Sequence, residues 1–301
     1  MSELALIAVA VVWGAAAGLL LPRAAYRLAV EPDESWRDRC PAGHPITGPA
    51  KGWLGFARCG ACRAGEAPGD TGLADSEGGP SYGPMDPSSY GPTDPSSYGL
   101  MDPSAYGPMD PSAYGPMDPS AYGPSTPLVS LVTALLCAAL ALATGTRPEL
   151  GVWLLLAPLG VLLAVVDFKV QRLPDALTLP LAAAALALLA VAAVVPEHAG
   201  DWLTALFGAL ALGGAYFVLF LINPNGMGFG DVKLALGLGA VLGWYGWSSV
   251  FLGTFAGFLL GALYGAGLVI VRRAGRKTSI PFGPFLIAGA YAGLLIGAYA
   301  A

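Results

Sequence analysis

Long apolar runs, broken by short polar stretches, make up most of this chain. Eight are long enough to suggest membrane-crossing helices: 3–22, 127–146, 149–166, 176–195, 202–222, 231–244, 248–271 and 281–300. About twenty apolar residues cross the hydrocarbon core of a bilayer. Unpaired backbone groups are not tolerated in lipid, so these runs are expected to be helical. The sixth run is short and rich in glycine, which makes its limits the loosest. The pattern predicts an all-α polytopic membrane protein of about eight transmembrane helices, with a cytoplasmic loop domain between the first two. Four segments follow: a first transmembrane helix at 1–22, a Cys-containing loop domain at 23–65, a linker at 66–126 and a seven-helix membrane domain at 127–301.

The first run is expected to be an anchor rather than a secretory signal peptide. It has no basic n-region, its apolar part is too long, and Arg23 and Arg27 follow it directly. That pattern describes a retained anchor with its N-terminus outside. Alternation then puts 23–126, 167–175, 223–231 and 272–280 inside. The termini and the loops near 147, 198 and 246 lie outside. Of the 15 Lys and Arg residues, only Arg147 falls outside, the orientation that the positive-inside rule favours.

Composition agrees, with 55% hydrophobic and 12% charged residues, which excludes an ordinary soluble domain. The net charge of −5 adds little, because Asp86, Asp94, Asp102, Asp110 and Asp118 all sit in one repeat. Its unit, YGPMDPSA with small variations, returns every eight residues at Tyr82, Tyr90, Tyr98, Tyr106, Tyr114 and Tyr122. Pro and Gly disfavour helix and sheet there, and no apolar face is available for burial. A disordered tether is expected, an expanded spacer rather than an interaction tail. Gly253, Gly257, Gly261 and Gly265, and then Gly289, Gly293 and Gly297, fall four apart, a spacing that suits close packing of helices within one bundle. The lipid bilayer is an expected partner and nucleic acid is not. Oligomeric state is left open.

Charge inside or beside the apolar runs is the chemical signal. Asp175 follows Pro174 at a helix start, where a carboxylate suits the dipole. Asp167 ends a helix, where a negative charge is unfavourable. Asp231 opens the sixth run. The topology brings Asp167 and Asp231 to the same inner face. Two carboxylates at one depth in a low-dielectric setting are the parts of an aspartyl protease, because like charges held close share a proton. One acid can then activate water while the other donates a proton. Gly228 and Gly230, just before Asp231, would let an extended substrate backbone approach. The plainer alternative pairs each acid with Lys169, Arg172 or Lys233 at the interface. Ionisable groups at membrane depth more often serve function.

Taken together, Asp167 with Lys169, Leu173-Pro174-Asp175, the run Gly228-Phe229-Gly230-Asp231-Val232-Lys233, and Pro281-Phe282-Gly283-Pro284-Phe285 resemble the type IV prepilin peptidase family. These are GxGD aspartyl proteases of bacterial inner membranes. The resemblance covers 127–301 well, and the first span and 31–65 loosely. It implies that Asp167 and Asp231 are the catalytic pair and need no cofactor for proteolysis. It implies prepilin or pseudopilin substrates, cut after a short basic leader at the cytoplasmic face, with Gly228, Gly230 and Lys233 positioning the substrate. Two other readings stand beside it. One is a GxGD protease with other substrates. The other is a non-enzymatic transporter or scaffold, which would need further ionisable groups along a path through the bilayer, and none is evident deep in the other spans.

Cys40, Cys59 and Cys62 lie in the predicted cytoplasmic loop, where metal binding is a better use of thiols than a disulfide. Many family members carry two CxxC pairs there, resembling a zinc element, and also N-methylate the new N-terminus with S-adenosylmethionine. In this chain the pair Cys59–Cys62 is intact, while Cys40 lacks its partner. His44 could complete a zinc site of three thiolates and one imidazole. Cys137, mid-span, and His198, in an outer loop, are expected to be ordinary packing and surface residues.

Overall fold

The computed structural model describes residues 2–31, 34–65, 120–224, 227–271 and 281–301. Among these, the helical segments are α1 (Glu3–Leu28), α2 (Pro49–Gly52), α3 (Gly60–Ala64), α4 (Thr126–Thr144), α5 (Glu149–Val170), α6 (Asp175–Ala193), α7 (Trp202–Ile222), α8 (Phe229–Gly243), α9 (Trp247–Ile270) and α10 (Gly283–Ala300). The only β structure among the described residues is a pair of isolated bridges in and beside the loop domain. Seven helices, α1, α4, α5, α6, α7, α9 and α10, are long and apolar enough to cross a membrane. The chain is therefore a multi-pass, all-α membrane protein. Helix α9 turns Phe251, Phe255 and Leu263 outward, as a lipid-facing helix should.

The remaining expected span, the sixth run, is α8, which has 15 residues. At about 1.5 Å per residue it is ~22 Å long, shorter than the ~30 Å hydrocarbon core. It need not face lipid, because α6, α7, α9 and α10 pack around it. Its glycines permit that enclosure. A Cβ on Gly243 would stand 3.0 Å from Ala205 Cα of α7, and one on Gly239 would collide with the backbone of Gly208 and Ala209. The stripes on α9 and α10 work the same way, with Gly253 and Gly257 against Gly289 and Gly293. Gly14 and Gly18 let α1 lie on α4, where Cys137 is wholly buried.

The helix ends form two polar faces. At one, Arg147 donates to Ala298 O at 2.8 Å. Beside it Glu149 is fully buried, its Oε1 accepting from Tyr245 Oη and Ala199 N–H, each at 3.3 Å. The sequence reading missed this acid. It ties together the loops before α5, before α7 and after α8. Its place at the first turn of α5 puts it about a helix length from Asp167, with Leu162, Leu163 and Val166 buried between, so the two acids do not form a polar path.

The other face carries the loop domain. Helix α1 runs on to Leu28, past the expected limit at 22, and projects two arginines into the loop. Arg23 donates to Thr47 O at 2.8 Å and Arg27 to Lys51 O at 2.9 Å, with the Arg27 guanidinium 4.1 Å from the Trp53 ring centre. Most of the expected linker, 66–119, lies outside the described residues. Its last unit is ordered, unlike the tether expected through 126. Cys59 N–H donates to Ser120 O at 2.9 Å, Tyr122 N–H to Ala57 O at 2.8 Å, and the Tyr122 ring packs 4.7 Å from that of Tyr26. Here the repeat does find an apolar surface to cover.

Candidate active site

Asp167 lies in the last turn of α5. The chain leaves that helix through Gln171, whose left-handed φ of 51° reverses its direction. Leu173 then tucks into the core, and Pro174 starts α6. The reversal carries Asp175 out to the surface and leaves Asp167 pointing inward. Asp231 lies in the first turn of α8. The two carboxyl-bearing residues are 4% and 8% exposed, and both flank Leu173: a Cβ on Gly283, beside Asp167, would lie 3.5 Å from Leu173 Cδ1, and one on Gly230, beside Asp231, 3.0 Å from Leu173 Cβ. Among the described residues neither is paired with a cation. Lys233 instead bonds Asp175 at 2.6 Å and lies 4.8 Å from the centre of the Phe229 ring. The interface pairing considered for the acids is thus absent.

The partner of Asp167 is Gly283, the first residue of α10. Its N–H donates to Asp167 Oδ2 at 3.0 Å. The misplaced charge at the end of α5 therefore rests on the N-terminus of another helix, where the dipole favours an anion. A Cβ on Gly283 would come 2.8 Å from Asp167 Oδ2, so only glycine leaves this contact undisturbed. Gly228 borders the other acid, with an added Cβ 3.7 Å from Asp231 Oδ2. Gly230 faces Leu173, whose Cβ would be 3.0 Å away, so its immediate use is the close seating of α8.

An apolar cavity of about 410 Å³ extends from this end of the bundle between α4, α5, α6, α8 and α10. Phe168, Thr178 and Pro284 line it near the acids, and Trp153 and Leu294 line it farther away.

The loop domain gathers the second set of candidate residues. A tight turn at 40–44, closed by Cys40 N–H to His44 O at 2.9 Å, brings the imidazole back beside Cys40. Cys59 stands at the N-cap of α3 and Cys62 lies within that helix. The ligand atoms of Cys40, His44, Cys59 and Cys62 all lie within 4.8 Å of one another. Cys40 Sγ is 3.6 Å from both Cys62 Sγ and His44 Nδ1, and His44 Nδ1 is 3.2 Å from Cys62 Sγ. The edges of a tetrahedral zinc site with three thiolates and one imidazole are roughly 3.5–3.8 Å, so the donor set fits in chemistry and size. Burial pushes the Cys40 thiol up, but hydrogen bonds from the His44 side chain and from the backbone of His44 and Ala42 outweigh it and bring it to about 7. Cys62 is pushed up to about 12 by desolvation and by its neighbours Cys59 and Cys40. One thiolate is favoured and a second is opposed, the balance a bound cation would reverse. Of the remaining candidates, Cys137 packs in the core and His198 Nδ1 lies 2.9 Å from Gly200 O, both ordinary roles.

Comparison with known proteins follows this geometry. The type IV leader peptidase family matches residues 154–266, a range that includes both aspartates. A prepilin leader peptidase/N-methyltransferase of Escherichia coli (strain K12) is 33% identical over 170 residues, covering 52% of this chain and 70% of the relative. The chain belongs to the type IV leader peptidase family. Proteins of the same description from Aeromonas salmonicida (strain A449) and Pseudomonas aeruginosa are 36% and 37% identical over 173 and 179 residues. In each case the match covers 57% of this chain and 58% of the relative, so the chain spans a little over half of their length. No solved structure matches it.

Proposed function

We propose that this chain is a membrane-embedded aspartyl endopeptidase. It would remove the short basic leader of type IV prepilin-like or pseudopilin proteins at the cytoplasmic face of a bacterial inner membrane. The observation that carries this reading is the pair of buried carboxyl groups, Asp167 and Asp231, supplied by two helices and, among the described residues, paired with no cation. Burying two acids side by side without a counter-charge is costly for structure alone.

One acid of the pair is protonated and the other ionised. The ionised group takes a proton from water as the water oxygen attacks the scissile carbonyl carbon, and its partner gives its proton to the carbonyl oxygen. Collapse of the resulting diol breaks the C–N bond and passes a proton to the leaving amine. The Gly283 N–H holds Asp167 in place throughout. Gly228 keeps the approach to Asp231 open, Gly230 seats α8, and Lys233 positions α8 through Asp175. The apolar cavity beside the acids would take side chains of the substrate's hydrophobic segment. A helix occupies ~120 Å³ per residue if drawn as a ~10 Å cylinder, so a whole helix would lie outside. The cytoplasmic assignment is supported by the charges: Arg23, Arg27, Lys51, Lys169 and Arg172 accompany the aspartate end, while Arg147 is at the other.

Cys40, His44, Cys59 and Cys62 would hold a zinc ion that braces the loop domain. The relatives' description also supports N-methylation of the newly freed amine. There the amine nitrogen takes the methyl group of S-adenosylmethionine and loses a proton, releasing S-adenosylhomocysteine.

Co-expression with a prepilin tests the peptidase. Wild type is expected to convert it to a faster-migrating form, and D167N or D231N to leave it unprocessed while still inserting in the membrane. Full processing by either variant would refute the assignment.

A further inference from the structure

Tyr216 of α7 is 1% exposed, and its hydroxyl has no hydrogen-bond partner among the described residues. It sits in one apolar cluster with Leu173, Leu286 and Val232, the residue that follows Asp231. Its ring stacks on Phe258 at 5.9 Å and packs against Phe282 at 6.4 Å, and Phe282 precedes the Gly283 that donates to Asp167. The ring is therefore clamped between α9 and the start of α10, beside the turn whose Gly283 holds Asp167.

An unpartnered buried hydroxyl lowers stability, and phenylalanine would fill this place at lower cost. Other buried groups without partners do not share this position. Thr144 Oγ1, Glu149 Oε2 and Trp244 Nε1 belong to the opposite face, and Arg27 Nε to the loop domain, the other side-chain atoms of Glu149 and Arg27 being bonded. Thr178 lines the apolar cavity. Among the described residues, Tyr216 is the orphan donor that packs against the Phe282–Gly283 turn holding Asp167.

We infer that Tyr216 is a third catalytic residue, whose hydroxyl donates a hydrogen bond to the Asp231 side of the reacting centre once water and the peptide have entered. The inference rests on the peptidase reading above. The hydroxyl keeps its proton throughout and supplies a preorganised donor in a site from which bulk water is excluded. Its orphan state in the free protein is the cost of having that donor in place before substrate arrives.

The test uses purified full-length protein in lipid vesicles with a prepilin, comparing wild type, D231N and Y216F. Y216F deletes one oxygen and no packing surface. The expected result is a fall in kcat of about 10- to 100-fold, a KM within about twofold, and a melting temperature equal to or above that of wild type. A kcat equal to wild type would overturn the inference. So would a kcat loss that comes with a lower melting temperature, since the hydroxyl would then have a structural partner. If wild type itself fails to cleave, the peptidase reading falls and this one with it. If wild type cleaves, D231N does not, and Y216F matches wild type, only the role of Tyr216 is refuted.

Discussion

The contact between Gly283 N–H and Asp167 Oδ2 decides how one of the two acids is aimed. A methyl group at position 283 would lie 2.8 Å from that oxygen, and the carboxyl group would have to rotate away. G283A is therefore expected to insert and fold but to slow prepilin processing by ~100-fold, the scale of loss that an ångström of misplacement produces. A processing time course set against membrane-protein yield checks this, and an unchanged rate would contradict it. Both acids were legible in the sequence, because charge within apolar runs is conspicuous and expensive. Gly283 and Tyr216 were not legible as site residues. A backbone donor has no side chain to notice, and a tyrosine in an apolar run reads as core. Glu149 escaped for a related reason: it stands at the first turn of a helix, where an acid looks ordinary, and only the packing shows that it is buried.

At the scale of elements, α8 must hold Asp231 at one rotation and depth. Lys233, two residues on, reaches Asp175 at the start of α6, and this ion pair spans the two helices. Lys233 is mostly shielded while Asp175 is largely exposed, so the pair adds at most about 1 kcal/mol to stability. Its expected effect is on geometry. K233D and D175K should each reduce processing by ~10-fold, and the double variant with the charges exchanged should recover most of it, as a double-mutant cycle would register. If Lys233 instead contacted substrate directly, the exchange would not rescue. The eight runs marked the long helices to within a few residues, because apolar length is a strong signal. What α8 does was less visible. Its glycines look like weak helix formers in sequence, and they make sense only once Gly208 and Ala209 of α7 are seen against its backbone.

For the whole molecule, alternating spans carried distant residues to one end of the bundle: Asp167, Asp231, Gly283, the α5–α6 turn and the loop domain. That arrangement was readable from span count and charge. The imidazole completing the cysteine cluster was a weaker expectation, since the spacing of Cys40 and His44 departs from a CxxC pair and only the turn at 40–44 brings them together. The purified protein is expected to hold about one zinc ion per chain, to lose it in H44A or C62S, and to expose the loop domain to proteolysis on chelation while still cleaving prepilin. Elemental analysis with limited proteolysis would measure both effects, and a metal-free protein with an equally resistant loop would contradict the zinc assignment. The central claim is that the buried pair Asp167 and Asp231 cuts prepilins. Intact-mass and N-terminal mass spectrometry of a prepilin co-expressed with this chain tests it most directly. With wild type the account predicts a mass loss equal to the leader and a new N-terminus at the start of the apolar segment. With D167N and with D231N it predicts the full-length precursor, and a mature N-terminus produced by either variant would contradict it.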